Sequence, residues 1–267
     1  MVENPYELGR FVYLPGKRIY GLYFEIPPSI IEEHAFLYDL FKYFADANIP
    51  VLHFKMSRPV PGKNIKGIMF LDFTDKRSNI KDVEQVIKKK DYIKDARIIT
   101  PLVEGLVVDN VMFPPVLHGE RVFILREPGL RTFVKSLREK TGTGYEAILY
   151  HIGYAMGKEY FKSHLKIVGD DLEELTAFSE AMFAIVGLGI LEYKRIDFSE
   201  KYAETIVRQS LECSFFKKSS KPMGHFTRGL LSGWFSELFR IGINSKEVSC
   251  ISMGDAYCKF IFEKSHT

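Results

Sequence analysis

Cysteine is scarce. The 267 residues hold three, Cys213, Cys250 and Cys258. Three thiols in a chain of this length make no disulfide framework, which leaves metal binding, catalysis or plain burial as their uses. An excess of one charge is missing too. The formal net charge is +3, and Lys and Arg are interspersed with Asp and Glu rather than gathered into the stripe of a nucleic-acid binder. The one dense basic run, Lys88 to Lys90, falls late in a helical segment, where the helix dipole favours cations. Long apolar stretches are lacking as well: "AMFAIVGLGIL", Ala181 to Leu191, is too short to span a bilayer and is broken by glycine. The start, "MVENPYELGRFVYLPGKR", has no basic-then-apolar signal pattern, so the expectation is a cytoplasmic protein with no membrane span. Finally, no nucleophile elbow, dinucleotide fingerprint, phosphate loop or His-Glu-x-x-His occurs, so no catalytic set is assigned.

What is present suffices for two domains with ordinary cores: 46% hydrophobic and 27% charged residues. The expected fold class is α+β, with domains at 1–115 and 116–267. "VMFPPVLHGE" marks the boundary by its two prolines and His-Gly turn. In the first domain, "KRIYGLYFEI" reads as a strand, and Ser29 is the expected cap of a helix over "IIEEHAFLYDLFKYFADANI". "VLHFKMSR" and "IKGIMFLDF" read as strands, "NIKDVEQVIKKKDYIKDA" as an amphipathic helix and "RIITPLVEGLVV" as a last strand. This βαββαβ order is the ferredoxin-like, split-βαβ arrangement. With the run "ANIPVLHFKMSR", it resembles ACT-type regulatory modules, which implies effector binding or dimerisation. The glycine such modules carry after the first strand is replaced here by "FEIPPS", which shifts the expectation toward dimerising or docking.

The second domain opens with "RVFILREPGLRTFVKSLREKTG". In "GYEAILYHIGYAMGKEYFKSH", Tyr145, Ile148, Leu149, Ile152 and Met156 form the expected apolar stripe. Gly153 and Gly157, four apart, imply that another backbone approaches this helix. A helix capped by Asp170 or Asp171 follows, then two segments of strand type, "GILEYKRIDF" and "YAETIVRQSLECSFF". The last helix, "HFTRGLLSGWFSELFRI", repeats the spacing with Gly229 and Gly233.

The chemistry gathers at "CISMGDAYC". A turn centred on Gly254 sets positions 250 and 258 opposite each other across a hairpin, pointing to one face. Glu247 precedes Cys250 by three residues, and Cys213 is the remaining thiol. Three thiolates and a carboxylate make a closed tetrahedral zinc site. On spacing alone, buried packing of the two cysteines stays open.

"GHFTRGLLSGWFSELF" followed by "EVSCISMGDAYCKFIF" resembles the closing signature of the 4-vinyl reductase domain family: a glycine-punctuated helix, then Glu-x-x-Cys, seven residues, and Cys. "AILYHIGYAMG" resembles that family's central helix, and the resemblance runs from about Val116 to Phe262. The family includes aromatic-sensing input domains of phenol-responsive activators and a protein of bacteriochlorophyll vinyl reduction, and shares its fold with Bet3-type tethering subunits. The resemblance implies a structural zinc held by Cys213, Glu247, Cys250 and Cys258. Four negative ligands around a dication call for nearby cations, and Lys246, Lys217 and Lys218 are the candidates.

His151, His225 and Trp234 are the candidates for holding an apolar or aromatic guest between helices, with core packing as their other reading. The functional expectation is a non-enzymatic small-molecule sensor or adaptor, a homodimer with a possible protein partner and no direct nucleic-acid contact. The alternatives are an enzyme or accessory factor in tetrapyrrole vinyl reduction, and an interaction scaffold.

Overall fold

The computed structural model describes residues 5–32, 35–75 and 79–265. The chain divides into two compact units, Met1–Leu117 and His118–Thr267. No described helix is long and apolar enough to cross a membrane.

The first unit contains β1 (Phe11–Tyr13), β2 (Ile19–Ile26), α1 (Ala35–Asp46), β3 (Val51–Met56), β4 (Ile65–Asp72), α2 (Ile80–Lys88), β5 (Asp95–Ile99) and β6 (Leu106–Val108). Strands β3, β4, β2 and β5 form one sheet in that order, every pair antiparallel. The alternation of side chains along β2 and β4 accounts for both faces. Leu22, Phe24, Ile26, Met69 and Leu71 pack with Phe36, Leu40 and Phe44 of α1 and with Ile80, Val83 and Ile87 of α2. Ile19, Tyr23, Ile68 and Phe70 face the other way, onto Val107 and Val12 of the small β1–β6 sheet. Central strands buried on two faces therefore read as continuous apolar runs.

Two expectations fail here. Ser29 lies inside a 3-10 turn, Pro28–Glu32, and caps no α-helix. Glu33 and His34 of the expected helix lie outside the described residues, and α1 begins at Ala35. The expected last strand divides into β5 and β6, because the intervening chain folds into a turn closed by a Val103–Leu106 bridge. Gly105 in that turn has φ +74, and a Cβ there would meet the Leu14 carbonyl oxygen at 2.1 Å.

Two two-residue strands, β7 (Val116–Leu117) and β8 (Glu120–Arg121), lie along the passage between units. The second unit continues with α3 (Glu127–Thr141), α4 (Gly144–Val168), α5 (Leu172–Ile185), β9 (Ile190–Asp197), β10 (Tyr202–Arg208), α6 (Leu211–Ser214), α7 (His225–Phe239), β11 (Ile243–Ser249) and β12 (Cys258–Lys264). Its antiparallel sheet runs β11-β12-β10-β9. Asp171 caps α5, accepting from the Glu174 amide.

Helix α7 is buried on almost every side, which polar Ser232 and Ser236 on it would not suggest. Its Leu231, Phe235 and Phe239 join Phe260 and Phe262 of the sheet in one core. Its opposite side meets α4 backbone to backbone. A Cβ added at Gly153 or Gly157 would sit 2.3 Å from the Phe226 carbonyl oxygen or 1.9 Å from that of Leu230. At Gly229 or Gly233 it would lie 2.1 Å or 2.0 Å from the carbonyl oxygens of Tyr150 and Tyr154. The two glycine pairs face each other. This contact turns α4 away from its expected stripe: Tyr145, Leu149, Gly153, Gly157, Phe161 and His164 point inward, while Ile148 and Ile152 are 39% and 44% exposed.

Candidate metal centre

Each member of the Cys/Glu quartet is placed by a local break in regular structure. Strand β10 ends where Gln209 takes a φ of +52, and Ser210 then caps the one-turn helix α6 by accepting from the Cys213 amide. Cys213 thus stands on a helical turn, not on the strand expected from sequence. Along β11, Glu247 is paired with Phe260 but Ser249 with Lys259, so one extra residue is inserted between them. This bulge reverses the alternation. In an unbroken strand residues three apart point to opposite faces; here both Glu247 and Cys250 are buried, while Val248 is 42% exposed. The shifted register, continued one step, sets Cys250 opposite Cys258. Between them run a 3-10 turn, Ile251–Met253, and Gly254 at φ +107, where the left-handed region favours glycine. The Cys250 amide donates to Asp255 Oδ2 at 2.7 Å and pins the turn.

The four ligand atoms lie within 4.8 Å of one another, and all four residues are buried. The Cys250 and Cys258 sulfurs are 3.9 Å apart, and Cys213 Sγ is 3.7 Å from Glu247 Oε1. The sulfurs are free thiols; a disulfide needs about 2.05 Å. A tetrahedron with metal–sulfur bonds of about 2.3 Å has edges of about 3.8 Å, so these separations suit four ligands of one ion.

The electrostatics point the same way. Burial, with Cys250 beside it, pushes the Glu247 carboxyl up to about 8. Hydrogen bonds to Cys250 and Cys258, together with burial, hold the Cys213 thiol far above its ordinary range. Cys250 is pushed down because Cys213 and Cys258 donate to its sulfur. Four acids in one dry pocket keep most of their protons unless a cation replaces them. The expected compensating side chains, Lys217, Lys218 and Lys246, are exposed, and among the described residues no cation is within ion-pair distance of Glu247. Donors to its carboxylate are backbone instead: Glu247 Oε2 accepts from the Gly224 amide at 2.8 Å, at the start of α7.

Glu212 carries no signal in the sequence, yet its carboxylate accepts from the Phe226 and Thr227 amides at 2.8 and 2.9 Å. Burial pushes it up to about 7. The amino end of α7 is therefore held by two buried carboxylates, one of them in the quartet. Ser252, 3.0 Å from the Cys250 sulfur, is equally silent in the sequence.

The three expected guest-holding residues do not converge. His151 is exposed on α4, beside Tyr150. His225 opens α7, buried edge-on to Tyr145, and its Nε2 has no hydrogen-bond partner among the described residues. Trp234 lies further along α7, about 13 Å along the axis by the rise of an α-helix. It donates to His164 Nδ1 at 3.4 Å and packs on Phe161, Tyr193 and Phe235. None of the three lines the cleft between α3, α4 and the segment after Cys213.

A helix-backed antiparallel sheet closed by a buried three-cysteine, one-glutamate cluster defines the class. Residues 204–264, which contain all four cluster residues, match the vinyl-4-reductase (V-4-R) domain, so the C-terminal region carries that domain. An uncharacterised protein of Methanocaldococcus jannaschii is 31% identical over 120 residues, covering 45% of this chain and 65% of that protein. The chain thus spans just under two thirds of that relative's length. Among solved structures, the phenol-responsive sensory domain of the transcription activator PoxR, bound to phenol, aligns over 55% of this chain and 78% of its own with a TM-score of 0.50 and 17% identity. A vinyl-4-reductase family protein from Methanocaldococcus jannaschii aligns over 54% and 84% with a TM-score of 0.39 and 23% identity. The PoxR likeness is one of fold.

Proposed function

We propose that the C-terminal unit is a non-enzymatic ligand-sensing module whose closing hairpin is clamped by a structural zinc on Cys213, Glu247, Cys250 and Cys258. The observation that carries this reading is the buried quartet, with edge lengths suited to a tetrahedral ion. Four protein ligands leave no position for water or substrate, which favours a structural role over a hydrolytic one. The metal would supply charge neutralisation and cross-linking. Glu247 would pass that constraint to α7 through the Gly224 amide, and Cys213 would tie in α6. The fold shared with a phenol-responsive sensory domain supports the sensing half. The N-terminal unit fits an ACT-like docking or dimerising module by its strand order, and a cytoplasmic homodimer completes the reading.

One observation favours a second reading. Trp234 is 3% exposed and fully engaged in the core, as expected of a scaffold whose interior serves stability alone. A native mass spectrum of the full chain, followed by titration with phenol, separates the two. The sensing reading expects one zinc per chain and saturable uptake of a small molecule. Zinc without any uptake would leave the scaffold.

A further inference from the structure

The segment "FFKKSSKPMG" after Cys213 forms one wall of a cleft of about 830 Å3 in the second unit. The other walls are the end of α3 and the start of α4. Five cations line it, Lys135, Arg138, Lys217, Lys218 and Lys221, against two carboxylates, Glu139 and Glu146. Lys221 is paired with Glu146, whereas Lys135, Lys217 and Lys218 have no ion-pair partner among the described residues. A concave surface with such an excess focuses its field on an anion. The lining is also aromatic: Tyr145, Phe215 and Phe216 contribute to it, and the Arg138 guanidinium lies over the Tyr145 and Phe216 rings. The volume is that of a pocket for a small organic molecule.

The cleft is braced by the quartet. Phe215 follows Cys213 by two residues, and the Ser219 amide donates to the Ser252 carbonyl at 2.8 Å. Ser252 is the residue whose hydroxyl lies against Cys250. Ser219 Oγ in turn donates to the Lys221 carbonyl, so the lysine-bearing loop is shaped from within.

We propose that this cleft binds a small organic anion, a carboxylate or phosphate carried on a planar apolar group. The cations take the charged end, and the aromatic wall takes the ring. This deepens the sensing reading by naming its ligand class, and rests on that reading for the output of binding, not for binding itself.

The test is calorimetric titration of the metal-replete full chain with phenyl phosphate, phenol and inorganic phosphate in parallel. Phenyl phosphate should saturate, bind at least about tenfold more tightly than either fragment, and weaken as salt is raised. Lys135→Glu with Lys217→Glu reverses charge on two walls at exposed positions and should weaken phenyl phosphate by about tenfold or more, with zinc content and melting temperature unchanged. Lys166→Glu, exposed at the far end of α4, should leave affinity as it was. Equal binding by the charge-reversed protein, or no saturable binding of phenyl phosphate, overturns the proposal. Saturable phenol binding indifferent to the charge reversal would also overturn it while leaving the sensing reading intact. Phenyl phosphate binding that survives with no zinc in the protein would leave the cleft standing and sink the clamp.

Discussion

Each unit buries one polar cluster that joins distant parts of its chain, and the two clusters differ in how their charge is met. In the first unit, the Asp109 carboxylate is fully buried with Arg10 and Lys55 at 3.1 and 2.9 Å, and it accepts from the Met112 amide. The cations it needs are side chains of the same unit. In the second unit, three thiols and a carboxyl converge with no cation beside the carboxylate among the described residues. The first cluster is complete from its own sequence. The second is completed by protons or by an ion, and the crowding of acids makes the ion the better partner. Stability that depends on conditions should therefore concentrate in one unit.

Breaking the second cluster should have the largest effect. Chelation, or Cys258→Ala, removes ligation worth up to on the order of 10 kcal/mol in small zinc domains. Hydrogen exchange on the full chain should show lost protection in α7, β11 and β12, with β2 and β4 unchanged; equal loss in both units would erase the contrast. Next, Trp234→Ala should cost about 3–5 kcal/mol by leaving a cavity among Phe161, Tyr193 and Phe235, read as a lower melting temperature with zinc retained. Gly157→Ala drives a methyl group into the Leu230 carbonyl and should cost about 1–3 kcal/mol, whereas Gly144→Ala, whose nearest neighbour is 3.7 Å away, should be tolerated. Asp109→Ala should destabilise the first unit alone, by about 2 kcal/mol because Arg10 and Lys55 are partly exposed. Denaturant melts followed by exchange would locate that loss, and a change in zinc content would count against the separation of the clusters.

The smallest expected effect is a pH dependence. Burial lowers His164 to about 4 from 6.5, only partly opposed by Glu120. The folded state therefore binds fewer protons than the unfolded state between these values, so the His164 contribution is complete above about pH 6.5 and is lost as pH falls toward 4. Protonation also removes the acceptor of the Trp234 indole. His164→Gln should flatten the melting profile over this window; an unchanged slope would place the acid sensitivity elsewhere.

Much of this was legible in the chain. Period-two alternation, glycines four apart and the Glu-x-x-Cys…Cys spacing announced the elements, the α4–α7 contact and three members of the quartet. The rest was hidden for physical reasons. A bulge at Val248 costs one residue and leaves no compositional mark, yet it brings Glu247 and Cys250 to one face. Apolar "YAETIVRQSLECSFF" hid a helical turn, because Gln209 in the left-handed region is not a glycine. The stripe on α4 was misread because its inward face is built on glycines, which carry no hydrophobic signal. His225 and Trp234 were grouped by proximity to those glycines, although they are more than two turns apart.

The central claim, that the second unit is clamped by a metal on its own three cysteines and one glutamate, is tested most directly by zinc-edge X-ray absorption on the purified full chain. The account predicts one zinc per chain with three sulfurs at about 2.3 Å and one oxygen at about 2.0 Å, the oxygen replaced or lost in Glu247→Ala. A chain without stoichiometric metal, or zinc in a shell free of sulfur, would contradict it.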